Sequence, residues 1–331
     1  MLLNTRPRRP IIAIVVPCYN EEEVLPETAK RLSEKLQQLI HEQIISEKSA
    51  IFFIDDGSTD NTWNFIEKFH SKNPLLFEGI KLSTNRGHQN ALLCGLLSVK
   101  DHVDAAVSID ADLQDDIEVI KKMIEKYCAG CEIVYGVRSN RKVDNLFKRT
   151  TAQGFYKFMC FLGVDVVYNH ADFRLMGRNA LNALSEYGEV NLFLRGVIPL
   201  LGYKTDSVFY GRLERFAGTS KYPLQKMLKF AFEGITSFSV KPLRLITLLG
   251  ALLFIVSIAM IIYFFVIHSL GHTITGWASI VCSLWGIGGL ILFSVGIVGE
   301  YIGKIFLEAK RRPRYHIEQC LLIRENLNEE H

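Results

Sequence analysis

From Leu245 to Gly299 the chain carries no Asp, Glu, Lys or Arg over 55 consecutive residues, while the other 276 residues hold all 73 charged side chains. No other feature limits the available folds as strongly. One block is compatible with lipid, and only one, which excludes both a uniformly soluble protein and a polytopic transporter. Disorder is excluded as well, because apolar residues make up 49% of the chain and aromatics 11%. The block reads as two helices, residues 243–268 and 276–299, joined by a short polar stretch that ends at Thr275. Each exceeds the ~20 residues needed to cross a bilayer.

Basic residues orient this hairpin. Lys221, Lys226, Lys229, Lys241 and Arg244 precede it, Lys304, Lys310, Arg311, Arg312 and Arg314 follow it, and the connecting loop has none. Both termini are therefore expected in the cytoplasm, with two spans in the plasma membrane. No signal peptide is expected, since Arg6, Arg8 and Arg9 precede an apolar run that extends only from Ile11 to Val16. The seven cysteines suit a reducing compartment. Cys128 and Cys131 form a lone Cys-x-x-Cys with no second pair to complete a zinc site.

Ahead of the hairpin, two periodicities alternate. Short apolar runs at Ile11–Val16, Ile51–Ile54, Gly79–Leu82, Ala105–Ile109 and Ile133–Tyr135 read as strands. Helical spacing appears between them: Leu25, Leu32, Leu36 and Leu39, then Trp63–His70, Gln89–Val99 and Ile117–Tyr127. Alternation of this kind predicts an α/β domain with a mainly parallel sheet, as in Rossmann-like folds. A polar cluster follows each run: Pro17-Cys18-Tyr19-Asn20-Glu21-Glu22, Asp55-Asp56-Gly57-Ser58-Thr59-Asp60, Asn85-Arg86-Gly87-His88, Asp110-Ala111-Asp112-Leu113-Gln114, and Gly136-Val137-Arg138. Ligands of open α/β sheets bind outside the carboxyl ends of the strands. Singly, each cluster could be a turn or a helix cap. Together they outline one site.

The site is not a P-loop or a dinucleotide fingerprint, because neither glycine pattern follows the first strand. Asp55 is suited to accept from a base or ribose. Asp110 and Asp112 stand two apart at a strand end, where both can turn toward one hard cation. A diphosphate leaving group needs such neutralisation as its bond breaks.

These motifs resemble family 2 glycosyltransferases with a GT-A fold, in the branch of bactoprenol glucosyltransferases and dolichol-phosphate mannose synthases. The resemblance continues through His170-Ala171-Asp172-Phe173-Arg174-Leu175-Met176 and Arg215-Phe216-Ala217-Gly218-Thr219-Ser220-Lys221-Tyr222. It ends with Gly299-Glu300-Tyr301-Ile302-Gly303 and Arg311-Arg312-Pro313-Arg314-Tyr315. The Gln-x-x-Arg-Trp motif of processive synthases is missing, since Trp occurs only at 63, 277 and 285. The implied layout is a GT-A domain over residues 1–215, juxtamembrane helices over 216–242, the hairpin, and a cytosolic tail over 300–331.

The resemblance implies inverting transfer of one sugar, with UDP-glucose or UDP-N-acetylglucosamine favoured, to a polyprenyl phosphate such as undecaprenyl phosphate. Pro17, Tyr19, Glu21, Asp55 and Asp110 would bind the donor. Asp112 and Gln114, with Asp110, would hold Mg²⁺ or Mn²⁺. Arg138, Arg149, Arg215, Ser220 and Lys221 would meet the acceptor phosphate, with Arg212 a substitute for Arg215. Asp172 would act as general base or as an organiser of Arg174 and the phosphate. Implied partners are the lipid bilayer, further copies of the chain (up to a tetramer), and a downstream flippase and transferase. No nucleic acid is expected. Glycines at 286, 288, 289, 296 and 299 suit close helix approach. Leu224, Met227, Leu228, Ala231 and Ile235, alternating with Lys226 and Lys229, read as an interfacial helix or, equally, as a helix packed on the soluble domain. The rival class, a silent membrane scaffold, has no use for both Asp110 and Asp112. A nucleotidyltransferase would need a basic, Gly-rich loop where Tyr19-Asn20-Glu21 stands.

Overall fold

The computed structural model describes residues 9–138, 170–189, 194–211 and 277–322, with five isolated positions between 246 and 259. Arg149, Arg212, Arg215, Ser220 and Lys221, the proposed interfacial helix and most of the first apolar run lie outside the described residues. By internal contacts the chain divides into two units. One comprises Met1–Thr151, Val166–Lys221 and Arg312–His331; the other comprises Ala152–Asp165 and Tyr222–Arg311.

The first unit is built on an eight-stranded sheet. Its early elements alternate: β1 (Ile12–Cys18), α1 (Leu25–His41), β2 (Ala50–Asp55), α2 (Thr62–Lys72), β3 (Phe77–Leu82), α3 (His88–Val99), β4 (Ala105–Ser108), α4 (Val119–Cys128) and β5 (Ile133–Arg138). After them come β6 (His170–Gly177), α5 (Arg178–Ser185), α6 (Leu194–Leu200), β7 (Thr205–Tyr210) and, beyond the second unit, β8 (Ile317–Leu321). Strand order is β7-β5-β6-β4-β1-β2-β3-β8.

β1 is central and buried along its whole length, which its unbroken apolar sequence anticipates. It pairs in parallel with β2, Cys18 opposite Asp55, and with β4, Val15 opposite Ser108. The loops after these strands therefore leave the sheet at neighbouring points. Leu25, Leu32, Leu36 and Leu39 of α1 are buried on one side of the helix, in a core shared with Phe53, Ile66, Ile120, Ile124 and Phe173. On the opposite face α3 lies close to β1 and β2. A Cβ added at Gly95 would meet Val15 Cγ1 at 2.5 Å and Ile54 Cγ1 at 2.7 Å, so the helix requires glycine there.

The pairings are mixed. β2–β3 and β5–β7 are also parallel, while β3–β8, β4–β6 and β5–β6 are antiparallel. The periodicity misses β6, which enters between β4 and β5. Both of its faces are buried, Phe173 and Leu175 on one and Asp172 and Arg174 on the other, so its apolar–polar alternation imitates a strand half exposed to solvent. Ser108 pairs with Arg174, and this register carries Asp172 to the level of Asp110. An antiparallel insertion thus delivers its amino end to the edge where β1–β5 end. β5 extends to Arg138, so the fifth polar cluster lies within a strand instead of after it.

In the second unit α7 (Trp277–Lys310) runs 34 residues, roughly 50 Å at 1.5 Å per residue. Ile280, Leu284, Ile287 and Ile291 are all more than half exposed. Among the described residues no helix is long and apolar enough to cross a membrane; several side chains in the apolar half of α7 lie outside them. The stretch expected as a cytosolic tail contains β8, which pairs with β3 from Gly79–Leu321 to Leu82–Ile317.

Candidate active site

The loops after β1, β2 and β3 are stitched together by their own motif residues. Asn20 adopts φ +53°; its N–H donates to Ser58 Oγ at 3.0 Å, and its Oδ1 accepts from the Thr59 N–H at 2.9 Å. The Glu21 N–H donates to Thr62 Oγ1 at 2.9 Å, and Glu22 Oε2 accepts from the Asn61 N–H at 3.0 Å. Asp55 is fully buried and accepts the Ser58 N–H. Asp56 accepts the Arg86 N–H at 2.7 Å and the Gly87 N–H at 2.9 Å. Burial raises the pKa of both carboxyls, partly offset by those hydrogen bonds. Gly57 turns the chain at φ +67°, where a Cβ would stand 2.6 Å from the Thr84 carbonyl carbon. Of the four residues expected at the nucleoside, Pro17 and Asp55 are buried, Glu21 is half-buried and Tyr19 is 45% exposed.

Beside these loops, the chain leaves β4 through Asp110-Ala111-Asp112-Leu113-Gln114-Asp115. The Ala111 carbonyl accepts from Thr28 Oγ1 of α1 at 2.7 Å. Leu113 is buried at φ +57°, a sparsely populated conformation for a bulky residue. The Gln114 N–H donates to Asp112 Oδ1 at 3.1 Å. Burial pushes the Asp110 carboxyl up to about 6; His88 pulls the other way, and the carboxylates of Asp172, Asp115 and Asp112 add to the rise. Such crowding of negative charge favours a cation. Asp110, Asp112 and Gln114 fit Mg²⁺ or Mn²⁺, which take few protein oxygens when substrate phosphates supply the rest. An all-protein cage is a different matter: among the described residues no group of three or more His, Cys, Asp or Glu could hold a metal.

Asp172 and Asp110 are bridged by His88, at the first position of α3. Its Nε2 lies 3.5 Å from Asp110 Oδ1 and 3.6 Å from Asp172 Oδ2. Burial lowers the His88 pKa, but the two carboxylates outweigh it and the net shift is upward. Asp172 also holds two guanidiniums. Arg174 Nη2 donates to its Oδ1, and Arg195 donates through Nε to Oδ1 at 3.1 Å and through Nη2 to Oδ2 at 2.9 Å. Burial would raise the Asp172 pKa; His88, Arg174 and Arg195 overcome it and hold the carboxyl well below its usual range. The same end of α3 anchors α6, since the Leu194 N–H donates to Gln89 Oε1 at 3.0 Å.

Arg138, expected at the acceptor phosphate, is engaged by Asp115 at 2.8 Å and lies 3.3 Å from the Tyr210 hydroxyl. Sequence reasoning gave no role to Asp56, His88, Asp115 or Arg195. Arg195 had one signal, as the single charge in the apolar run Leu192–Leu201. Asp115 and Tyr210 had none, because their partnership depends on β5 pairing with β7.

The glycosyl transferase family 2 model matches residues 13–185, and the GtrB C-terminal hairpin model matches residues 241–305. The chain is 56% identical over 310 residues to the uncharacterized glycosyltransferase YkoT of Bacillus subtilis, covering 94% of this chain and 92% of that one. It is 40% identical over 313 residues to the bactoprenol glucosyl transferase of Shigella phage SfX, covering 93% and 98%. Among solved structures, mannosyl-3-phosphoglycerate synthase from Rubrobacter xylanophilus aligns with a TM-score of 0.45 at 13% identity, covering 68% and 71%.

Proposed function

The chain belongs to glycosyl transferase family 2, and on that premise we propose that it moves one sugar from a nucleotide-diphosphate sugar to a polyprenyl phosphate at the cytosolic membrane face. UDP-glucose is the favoured donor, with UDP-N-acetylglucosamine second, and undecaprenyl phosphate is the acceptor. The observation that carries this reading is the meeting of Asp110, His88 and Asp172 beside the stitched loops of β1 and β2. An acidic group for the donor and a cationic cluster for an anionic acceptor thereby share one sheet edge.

Tyr19, with Pro17, Glu21 and Asp55 behind it, lines the nucleoside end. Asp110, Asp112 and Gln114 would hold a divalent cation, which would supply positive charge to offset that of the leaving diphosphate. The acceptor phosphate oxygen attacks the anomeric carbon from the face opposite the leaving group. The C–O bond to the diphosphate breaks, and its electron pair leaves with the nucleoside diphosphate. A phosphomonoester with a second pKa of roughly 6 is largely dianionic near neutrality, so no strong base is needed. Orientation and charge placement carry the catalysis.

Residues 243–268 and 276–299 serve as the hairpin that keeps this site at the bilayer. The acceptor chain cannot leave cheaply, at ~0.8 kcal/mol per buried methylene. The exposed apolar side chains of α7 support that placement. The test is incubation of the purified full chain with undecaprenyl phosphate, Mg²⁺ and labelled UDP-sugars. A lipid-linked monosaccharide is expected; no such product with any donor, under conditions where the SfX relative works, overturns the reading.

A further inference from the structure

We propose that Arg195 is a ligand of the acceptor phosphate and that Asp172 acts through it as a positioning residue. The inference rests on the polyprenyl-phosphate reading above. In the strand order, β1 and β2, which carry the nucleoside loops, lie on one side of β4, and β6 lies on the other. Asp172, on β6, is thus on the side of Asp110 away from the nucleoside. An inverting displacement requires the acceptor to arrive opposite the leaving diphosphate, which places the acceptor phosphate on this side.

The charges there suit an anion. Arg174 and Arg195 both meet Asp172, and His88 stands between Asp172 and Asp110, so three cationic side chains gather at this edge. Arg174 is 1% exposed, and its Nη1 is buried without a hydrogen-bond partner among the described residues. Arg195 is the accessible member, its side chain 34% exposed. Its planar fork is held at two points by Asp172, and α6, which carries it, is tied to Gln89 of α3. A guanidinium fixed in this way needs little reorganisation to meet a phosphate.

The same contacts make Asp172 a poor proton acceptor. Oδ1 faces Arg174 and Arg195, and Oδ2 faces Arg195 and His88. Both oxygens are committed to cationic donors, so its capacity is to orient Arg195.

The experiment compares full-length wild type, Arg195→Gln, Arg195→Lys, Asp172→Asn and the Asp172→Asn/Arg195→Gln double variant in nanodiscs, each with its melting temperature recorded. Arg195→Gln should raise the KM for undecaprenyl phosphate roughly tenfold or more, as loss of a charge-assisted contact implies, with the donor KM within about twofold of wild type. Arg195→Lys should recover part of the loss. Asp172→Asn should raise the acceptor KM likewise and keep the acid limb of the pH–rate profile, and the double variant should be little worse than either single one. An unchanged acceptor KM in Arg195→Gln, or a rise confined to the donor KM, overturns the proposal. So does Asp172→Asn losing kcat with the acid limb while its acceptor KM stays normal. Absence of wild-type turnover would instead count against the polyprenyl-phosphate reading. Calorimetric titration with geranyl phosphate then decides the inference separately, with weaker binding in Arg195→Gln expected and equal binding overturning it.

Discussion

Asp115, in the loop between β4 and α4, is joined to Arg138 at the end of β5, with Arg138 Nη2 donating to Asp115 Oδ1 at 2.8 Å and the Tyr210 hydroxyl donating to the same oxygen. The Asp115 side chain has no exposed surface, whereas Arg138 keeps a quarter of its own. Nearby negative charge and hydrogen bonds raise the Arg138 pKa despite its burial. This pair fastens the stretch after Asp112 to β5 and β7, and so helps to hold the proposed metal ligands in place.

Replacing Arg138 with Gln would leave Asp115 charged, buried and poorly compensated. The expected cost is about 3 kcal/mol, or a fall in Tm of roughly 5–10 °C for a domain of this size, followed by circular dichroism on heating. An unchanged Tm together with a raised acceptor KM would return Arg138 to the phosphate role expected from the sequence.

Asp172 provides a pH-dependent prediction. Its folded pKa is depressed, so the stability it adds is present above the ordinary carboxylate value of ~3.9 and is lost as pH falls through the lower folded value. Urea denaturation of wild type should therefore show this contribution level from about pH 5 upward and declining below about pH 4. Asp172→Asn should be less stable at pH 7 by about 3–5 kcal/mol, because Arg174 is left buried without its counterion. It should also show a shallower acid decline, and a decline as steep as wild type would refute the assignment.

Gly57 allows the β2 loop to approach Thr84. Gly57→Ala would combine a left-handed backbone with a 2.6 Å contact against backbone, costing at least about 2 kcal/mol. The displaced loop carries Ser58, which bonds both Asn20 and Asp55. A raised donor KM with the acceptor KM little changed is the expected kinetic signature.

β8 covers the edge of β3. Beside the strand pairing, the Ser83 N–H donates to the His316 carbonyl at 3.0 Å, and Arg314 donates to the Tyr187 carbonyl. Deleting residues 313–331 should uncover that edge, lower the Tm and increase light scattering, since unpaired edges template aggregation. Gln319→Pro, which removes one backbone donor from β8, should show a smaller effect in the same direction. Wild-type behaviour from both variants would mean that β8 contributes nothing to the sheet's stability.

The elements from β1 to β5 were legible because most bury a face by local repetition: four leucines on α1, apolar runs in β1, β2, β4 and β5, and glycine-bearing turns after β2 and β3. Of the candidate site, the acidic side was visible, with Asp110, Asp112 and Gln114 following an apolar strand. Of the cationic side, Arg174 was named only through the resemblance, and His88 and Arg195 had no role. β6 buries Asp172 and Arg174 where periodicity expects solvent, and α6 is seven residues long with Pro199 inside it.

Sequence alone determined the alternating core, the acidic motif and the single charge-free block, because these depend on neighbours within a few residues or on composition. Tertiary structure decided that β6 runs against β4, which brings Asp172 level with Asp110, joins it to His88 of α3 and clamps it to Arg195 of α6. Those partners are separated by 84 positions from Asp172 to His88 and 23 from Asp172 to Arg195. Their meeting is set by strand direction and register, which no local pattern encodes, and by electrostatics that acts only once the chain has closed around it.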